Sequence, residues 1–421
     1  MHTLFLLNPA AGKADCTRTL PQQIAAAAAG AGLAPEDYTI RVTTHAGHAR
    51  ELSRAAAAAA QKAGVELRIF TAGGDGTFNE ALTGAHGFDK TAVGCLPYGS
   101  GNDFLRTYGT KEEFLDLDAQ LAGGVVPIDL MRTSLRELEA GTYTQPLRSI
   151  ALLPGGEKFG FMPACLGDCF GAKVLSAFPQ NAGTQYPSHI GYVLLFEGGH
   201  GSFLGMADAA VITEIRTGAV SGVATDLLAR PDAHRLAIIG AGAQGRSHLA
   251  SMTAVRDIHS VTVYDQNTQA ARRYCQEMEA KFGIPVTAAD SVREAVHNAD
   301  IICTVTPSWE PYLEAGWIAP GTHINAVGAF TPTTREVTSA LVAKSRLYAD
   351  QVEAMRKECG EYLVPLREGL IGLDHIVGSL GGVLLGRVPG RSSEEEITLF
   401  DALGLAVEDV ACVKYLCGES R

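Results

Sequence analysis

Three glycines set the first chemical expectation. Gly240, Gly242 and Gly245 follow Leu236 to Ile239, an apolar run suited to a buried parallel strand. Gly240 permits a tight turn, Gly242 lets the backbone approach a diphosphate, and Gly245 lets strand and helix pack closely. Ala241, Ala243 and Gln244 complete the turn. The free N–H groups of the helix that follows would face the phosphates. A second strand, Val261 to Tyr264, ends at Asp265, twenty residues beyond Gly245. A carboxylate there accepts from a ribose hydroxyl and repels a 2′-phosphate. The spacing therefore predicts NAD(H) or NADP(H), with NAD favoured.

A second glycine loop lies near the start of the chain. Gly73, Gly74, Asp75, Gly76 and Thr77 follow the strand candidate Leu67 to Phe70. Small residues expose backbone N–H groups to anionic oxygens, Thr77 adds a hydroxyl, and Asp75 suits a metal or a nucleoside. Gly101, Asn102 and Asp103 form a similar loop after Val93 to Leu96, and Asn8, Pro9 and Gly12 follow a strand over residues 3–7.

The elements that carry these loops alternate strand and helix, which predicts α/β architecture with parallel sheets and ligands at the strands' carboxyl ends. The alanine tracts Ala25–Ala29 and Ala55–Ala60 are expected as helices. A chain of 421 residues, 46% hydrophobic, has material for two or three domains. Its net charge of −12 argues against a nucleic-acid partner. Nine cysteines without zinc spacing or a disulfide framework predict no metal site and a reducing cytoplasm. No apolar run reaches membrane-spanning length, so no transmembrane segment is expected. Leu4 to Leu7 reads as a strand and not a signal peptide. His323 and His375 are expected to be packed or hydrogen-bonded, and Glu394 to Glu396 to begin a helix.

Two resemblances follow from these motifs. Residues 1–130 resemble the nucleotide-binding domain of the diacylglycerol and sphingosine kinase family. Asn8 and Pro9, the Gly73–Thr77 signature with Asn79 and Glu80, and Pro97 to Asp103 carry the likeness. It implies ATP, with Mg2+, held by Asn8, Gly73, Gly74, Asp75, Gly76, Thr77, Gly101, Asn102 and Asp103. After Leu130 nothing resembles the β-sandwich that completes those kinases, and half a site is expected to bind nucleotide without transferring phosphate.

Residues 131–421 resemble the ornithine cyclodeaminase/mu-crystallin family. Pro146 to Arg148, Met162 to Ala164, Gly171 to Val174, Ile212 to Ala219, Gly360–Glu361 and Thr398 to Asp409 carry that likeness beside the glycine fingerprint. It implies a substrate/dimerisation domain over 131–230 plus 350–421, a Rossmann domain over 231–349, and a homodimer. It also implies that Arg148, Lys173 and Arg216 line the substrate pocket, with Lys173 catalytic, and that Thr213, Thr304 and Val327 join the cofactor site. The chemistry suits these types. Guanidinium groups clamp a carboxylate, and a desolvated lysine exchanges a proton. Phe330 stands where the cyclodeaminases place a catalytic aspartate. The resemblance thus favours an NAD(P)-dependent oxidoreductase acting on an imino or amino acid, of the ketimine reductase or amino-acid dehydrogenase type. An ornithine cyclodeaminase-type ammonia lyase, an ATP-dependent lipid kinase and a non-catalytic nucleotide-binding chimera are the alternatives.

Overall fold

The computed structural model describes residues 2–11, 15–30, 33–86, 88, 90–98, 126–181 and 189–417. The chain divides into two compact units, residues 1–123 with 415–421, and residues 124–414.

The first unit holds a parallel sheet of β1 (His2–Leu7), β2 (Tyr38–Val42), β3 (Leu67–Gly73) and β4 (Thr91–Pro97) in the order β2-β1-β3-β4. Helices α1 (Leu20–Gly30) and α2 (His48–Ala63) contain the two alanine tracts, and α3 (Asp75–Ala85) begins inside the glycine loop. Strand β1 is apolar on both faces because both are covered. Phe5 and Leu7 pack with Leu20 and Ile24 of α1, while Leu4 and Leu6 pack with Ala49 and Ala57 of α2.

The second unit opens with α4 (Val126–Ala140), a helix that runs through the expected junction at residue 130. Its buried stripe is Ile128, Met131 and Leu135, and Gly141, at φ +83°, ends it. An antiparallel meander follows: β5 (Ser149–Leu152), β6 (Lys158–Cys165), β7 (Cys169–Ala177), β8 (His189–Glu197) and β9 (Phe203–Asp208). Asp208 caps α5 (Ala209–Leu228) by accepting from the N–H groups of Ala210 and Val211. From Arg216 to Thr225 every residue of α5 is buried. This stretch is walled in on all sides, so it lacks the polar face of a surface helix.

An eight-stranded sheet of β10 (Arg235–Ile239), β11 (Ser260–Tyr264), β12 (Val286–Ala288), β13 (Ile301–Thr304), β14 (His323–Ala326), β15 (Arg346–Ala349), β16 (Ile376–Ser379) and β17 (Thr398–Asp401) completes the unit. Its order is β12-β11-β10-β13-β14-β17-β15-β16 and every pair is parallel. Helix α6 (Ala243–Val255) follows β10 and α7 (Thr268–Phe282) follows β11. Strands β16 and β17 come from residues beyond 350, so this sheet continues past the expected Rossmann limit at 349. The chain winds one way from β10 through β11 and the other way into β13. The switch point lies at the carboxyl ends of those two strands, where open α/β sheets bind ligands.

One expectation fails. Glu394 to Glu396 lie in a loop before β17 and begin no helix. Glu396 folds back to accept from the Ser392 N–H and hydroxyl, and Arg391 donates to the Ser393 and Glu396 carbonyls, which fixes the loop instead. Among the described residues no helix is long and apolar enough to cross a membrane.

Candidate functional site

The glycine turn sits at the switch point. Gly240, at φ +116°, donates its N–H to the Tyr264 carbonyl at 2.8 Å. A Cβ there would press on the Val305 carbonyl at 3.0 Å, and one on Gly245 would collide with the Gly240 carbonyl. A Cβ on Gly242 would meet no protein atom within 4 Å. Gly242 is the N-cap of α6 and no side chain caps that helix, so its first N–H groups face away from protein acceptors. The buried Oε1 of Gln244 has no partner among the described residues. Open space and uncapped donors at one turn fit a dinucleotide diphosphate.

Asp265 closes the turn from the neighbouring strand. Its Oδ2 accepts from the Ala241 N–H at 2.8 Å and its Oδ1 from the Asn267 N–H at 2.8 Å. Each oxygen keeps a lone pair for a hydroxyl. Across the switch point, Thr304 ends β13, and its carbonyl accepts from the Val327 N–H at 3.0 Å. Beneath both lies Glu336, fully buried, which sequence reasoning missed. It accepts from Thr304 Oγ1 (2.9 Å), the Thr306 N–H (2.7 Å) and Oγ1 (2.6 Å), Tyr312 Oη (2.8 Å) and the Gly328 N–H (2.8 Å). Burial raises its carboxyl pKa, and the donors oppose that rise.

Of the three cations singled out by resemblance, Lys173 and Arg216 share one carboxylate, and Arg148 lies across the Gly404 bend from Arg216. Lys173 of β7 is 5% exposed, and its Nζ donates to Thr213 Oγ1 at 2.6 Å and to Asp409 Oδ1 at 3.3 Å. Arg216 of α5 reaches the same Asp409 oxygen at 3.2 Å and Glu408 Oε2 at 3.0 Å. A Cβ on Gly404, at φ +81°, would strike the Arg216 guanidinium at 2.7 Å. Arg148 donates to the Leu403 and Gly404 carbonyls at 2.9 and 3.3 Å and pairs with Glu358 at 2.8 Å. Gln244 Nε2 donates to the Thr213 carbonyl at 3.3 Å. Thr213 therefore touches both the glycine turn and the lysine, and contacts run unbroken from the dinucleotide turn to Arg148.

Two carboxylates of this cluster, Glu408 and Asp409, come from the C-terminal helix Ala406–Leu416. Both are fully buried, and Glu408 Oε1 and Asp409 Oδ2 have no partner among the described residues. Burial pushes the Glu408 carboxyl up to about 7 against the pull of Arg216. Burial pushes the Lys173 ammonium below its ordinary value while Asp409 draws it back up. The signal for the pair was an acidic dipeptide inside the otherwise apolar run Leu405 to Val413. Asp350 braces the adjoining bend by accepting from the Leu403 and Gly404 N–H groups, each at 2.8 Å. His323 is buried between Thr398 Oγ1 (2.9 Å) and Asn325 Oδ1 (3.2 Å), and burial lowers it to about 3. His375 meets the Val342 carbonyl at 2.9 Å. Both serve packing.

In the first unit, Asn8 leaves the end of β1 and donates from Nδ2 to Thr77 Oγ1 at 2.9 Å, while its Oδ1 accepts from the Ala10 N–H at 3.0 Å. A Cβ on Gly73 would overlap Thr77 Oγ1 at 2.5 Å. Helix α3 starts at Asp75 with Gly74 as an N-cap that offers no side chain. Asn8 and Gly73 to Thr77 thus share the carboxyl edge of β1 and β3. Gly101, Asn102 and Asp103 lie outside the described residues.

Comparison with known proteins agrees with this division. The diacylglycerol kinase catalytic domain model matches residues 2–133, and the ornithine cyclodeaminase/mu-crystallin family model matches residues 125–420. Delta(1)-pyrroline-2-carboxylate reductase of Bacillus cereus is 34% identical over 293 residues, 69% of this chain and 90% of that protein. Ketimine reductase mu-crystallin of Mus musculus is 36% identical over the same shares. Among solved structures, Delta(1)-pyrroline-2-carboxylate reductase of Thermococcus litoralis, in complex with NADH and L-proline, aligns with a TM-score of 0.67 and 37% identity. That match covers 69% of this chain and 91% of the other. An archaeal alanine dehydrogenase dimer with bound NAD aligns at 0.66 and 31%, covering 69% of this chain and 89% of the other. The chain belongs to the ornithine cyclodeaminase/mu-crystallin family, and a diacylglycerol-kinase-like catalytic segment is fused ahead of that part.

Proposed function

We propose that residues 124–414 reduce a small cyclic imino acid bearing an α-carboxylate to the corresponding amino acid. The observation that carries this is the Thr213 link, which joins the dinucleotide turn to three converging cations. Gly240 to Gly245 and the first turn of α6 would hold the diphosphate, and Asp265 a ribose hydroxyl, which favours NAD over NADP. Thr304 and Val327 would border the nicotinamide. When bound, the reduced nicotinamide supplies hydride to the carbon of the C=N bond.

The chain's own residues do the rest. Arg148 and Arg216 have unassigned N–H groups with which to clamp the substrate carboxylate. Lys173, held charged beside Asp409, stands as the proton donor to the imine nitrogen. The orphaned Glu408 and Asp409 oxygens offer acceptors to a protonated nitrogen. The names of the relatives, reductases of pyrroline carboxylate and of ketimines, support the substrate class.

A homodimer fits the meander. Register places Phe161, Val174 and Tyr192 in one row, and Phe170, Phe196 and Phe203 in another, on a single face of the sheet. Phe161 is 44% exposed, Tyr192 49% and Phe203 57%. An apolar patch of this kind marks an association surface, and an identical chain is its simplest partner.

The first unit supports a second reading, nucleotide phosphate binding. The carrying observation is the Asn8–Thr77 bond, which ties the end of β1 to the uncapped start of α3.

Three measurements test these proposals. Gly242→Trp, whose side chain meets no protein atom at Cβ, is expected to keep its fold by circular dichroism. It should lose NADH affinity by at least about tenfold, or ~1.4 kcal/mol, in a fluorescence titration, and unchanged affinity would reject the dinucleotide assignment. Light scattering should give twice the chain mass for the wild type and the single mass for Phe161→Asp combined with Tyr192→Asp; a monomeric wild type would remove the dimer. Calorimetry should detect Mg-ATP binding that weakens in Asn8→Ala, and a silent wild type would end the second reading.

A further inference from the structure

Resting on the reductase reading, we propose that Asp409 is the positioning residue of the site: one carboxylate oxygen, shared between Lys173 and Arg216, locks both cations and keeps the lysine in its acid form. The geometry is specific. Asp409 Oδ1 lies 3.3 Å from Lys173 Nζ and 3.2 Å from Arg216 Nε, while Oδ2 has no partner among the described residues. Lys173 comes from a strand, Arg216 from α5 and Asp409 from the C-terminal helix, and among the described residues this carboxylate is the one group that bonds to both cations.

Thr213 completes the arrangement. Its hydroxyl donates to the Ala209 carbonyl at 2.5 Å, so its oxygen is left as an acceptor for Nζ. An ammonium has three N–H groups. Two are engaged here, by Thr213 and Asp409, and the third is available to an imine nitrogen. In the transfer the Nζ–H bond breaks and a substrate N–H bond forms, with the electron pair staying on Nζ.

The titratable and charged groups that face Lys173 are Asp409, Glu408 and the neutral thiol Cys412 from the C-terminal helix and Arg216 from α5. Its cross-strand neighbours Met162 and Val193 carry no charge. Burial and Arg216 favour a neutral amine, while Asp409 and Glu408 favour the ammonium. Burial is the largest influence and draws the ammonium below its ordinary value; Asp409, which makes the direct bond, is the strongest influence opposing it.

The test compares wild type, Asp409→Asn and Asp409→Glu. Each is assayed for NADH oxidation with 1-pyrroline-2-carboxylate across pH, and each has its NADH affinity measured separately by fluorescence. Asp409→Asn should move the basic limb of kcat/KM down by about one pH unit or more, Asp409→Glu should restore it, and NADH affinity should stay within about twofold. A uniform loss with the limb unmoved would overturn the proposal. If Asp409→Asn does not fold, lysine 13Cε spectra of the wild type, assigned with Lys173→Arg, still decide it: a charged Lys173 at pH 7.5 supports the role and a neutral one overturns it. A wild type that binds NADH and reduces no imine would refute the reductase reading, and the spectra would judge Asp409 on their own.

Discussion

Four buried ionisable side chains at the meeting of β7, α5 and the C-terminal helix are the constraint on which this site depends. Lys173, Arg216, Glu408 and Asp409 have side chains no more than 7% exposed. Removing each ion from water costs several kcal/mol, and mutual attraction offsets this only when geometry is good. Asp409 supplies that geometry by serving two cations with one oxygen. Deleting one member would strand the others, a loss of about 3–5 kcal/mol for a buried pair. A cluster that expensive is weak support for stability alone, which is why it reads as chemistry.

The rest of the unit holds this cluster against the dinucleotide turn. Helix α5 carries Thr213 and Arg216 one turn apart, and α6 begins at the glycine fingerprint. Gly218 lets the two helices close up, since a Cβ there would collide with Ser247. On the far side, Glu336 gathers the ends of β13 and β14 with five donors, so the loops that follow those strands share one buried anchor. Rigid supports of this kind fix the distance between the glycine turn and the buried cations, the kind of distance on which a transfer between two bound groups depends.

Much of this was legible in the sequence, for physical reasons. The fingerprint was legible because Gly240 and Gly245 answer local steric demands that no other residue meets. Strand β10 was legible because Leu236 to Ile239, buried on both faces, are apolar throughout. Arg148, Lys173 and Arg216 were legible by resemblance alone, because an isolated cation carries no local signal of burial. Glu408 and Asp409 went unread because their meaning depends on a helix that returns from the end of the chain. Glu336 was hidden for the same reason: it sits in a polar loop, and the donors that define it are 8 to 32 residues away. The acidic run at Glu394 to Glu396 misled because a charge pattern suited to a helix start equally suits a loop pinned by Arg391.

A crystal structure of the chain with NADH and a cyclic amino acid bound would test this arrangement of cofactor, substrate and cations. The diphosphate is expected on the amides of residues 241–245 and the ligand carboxylate between Arg148 and Arg216, with Lys173 Nζ within hydrogen-bond reach of the ring nitrogen. A carboxylate bound elsewhere, with all three cations still satisfied by Glu358, Glu408 and Asp409, would contradict it.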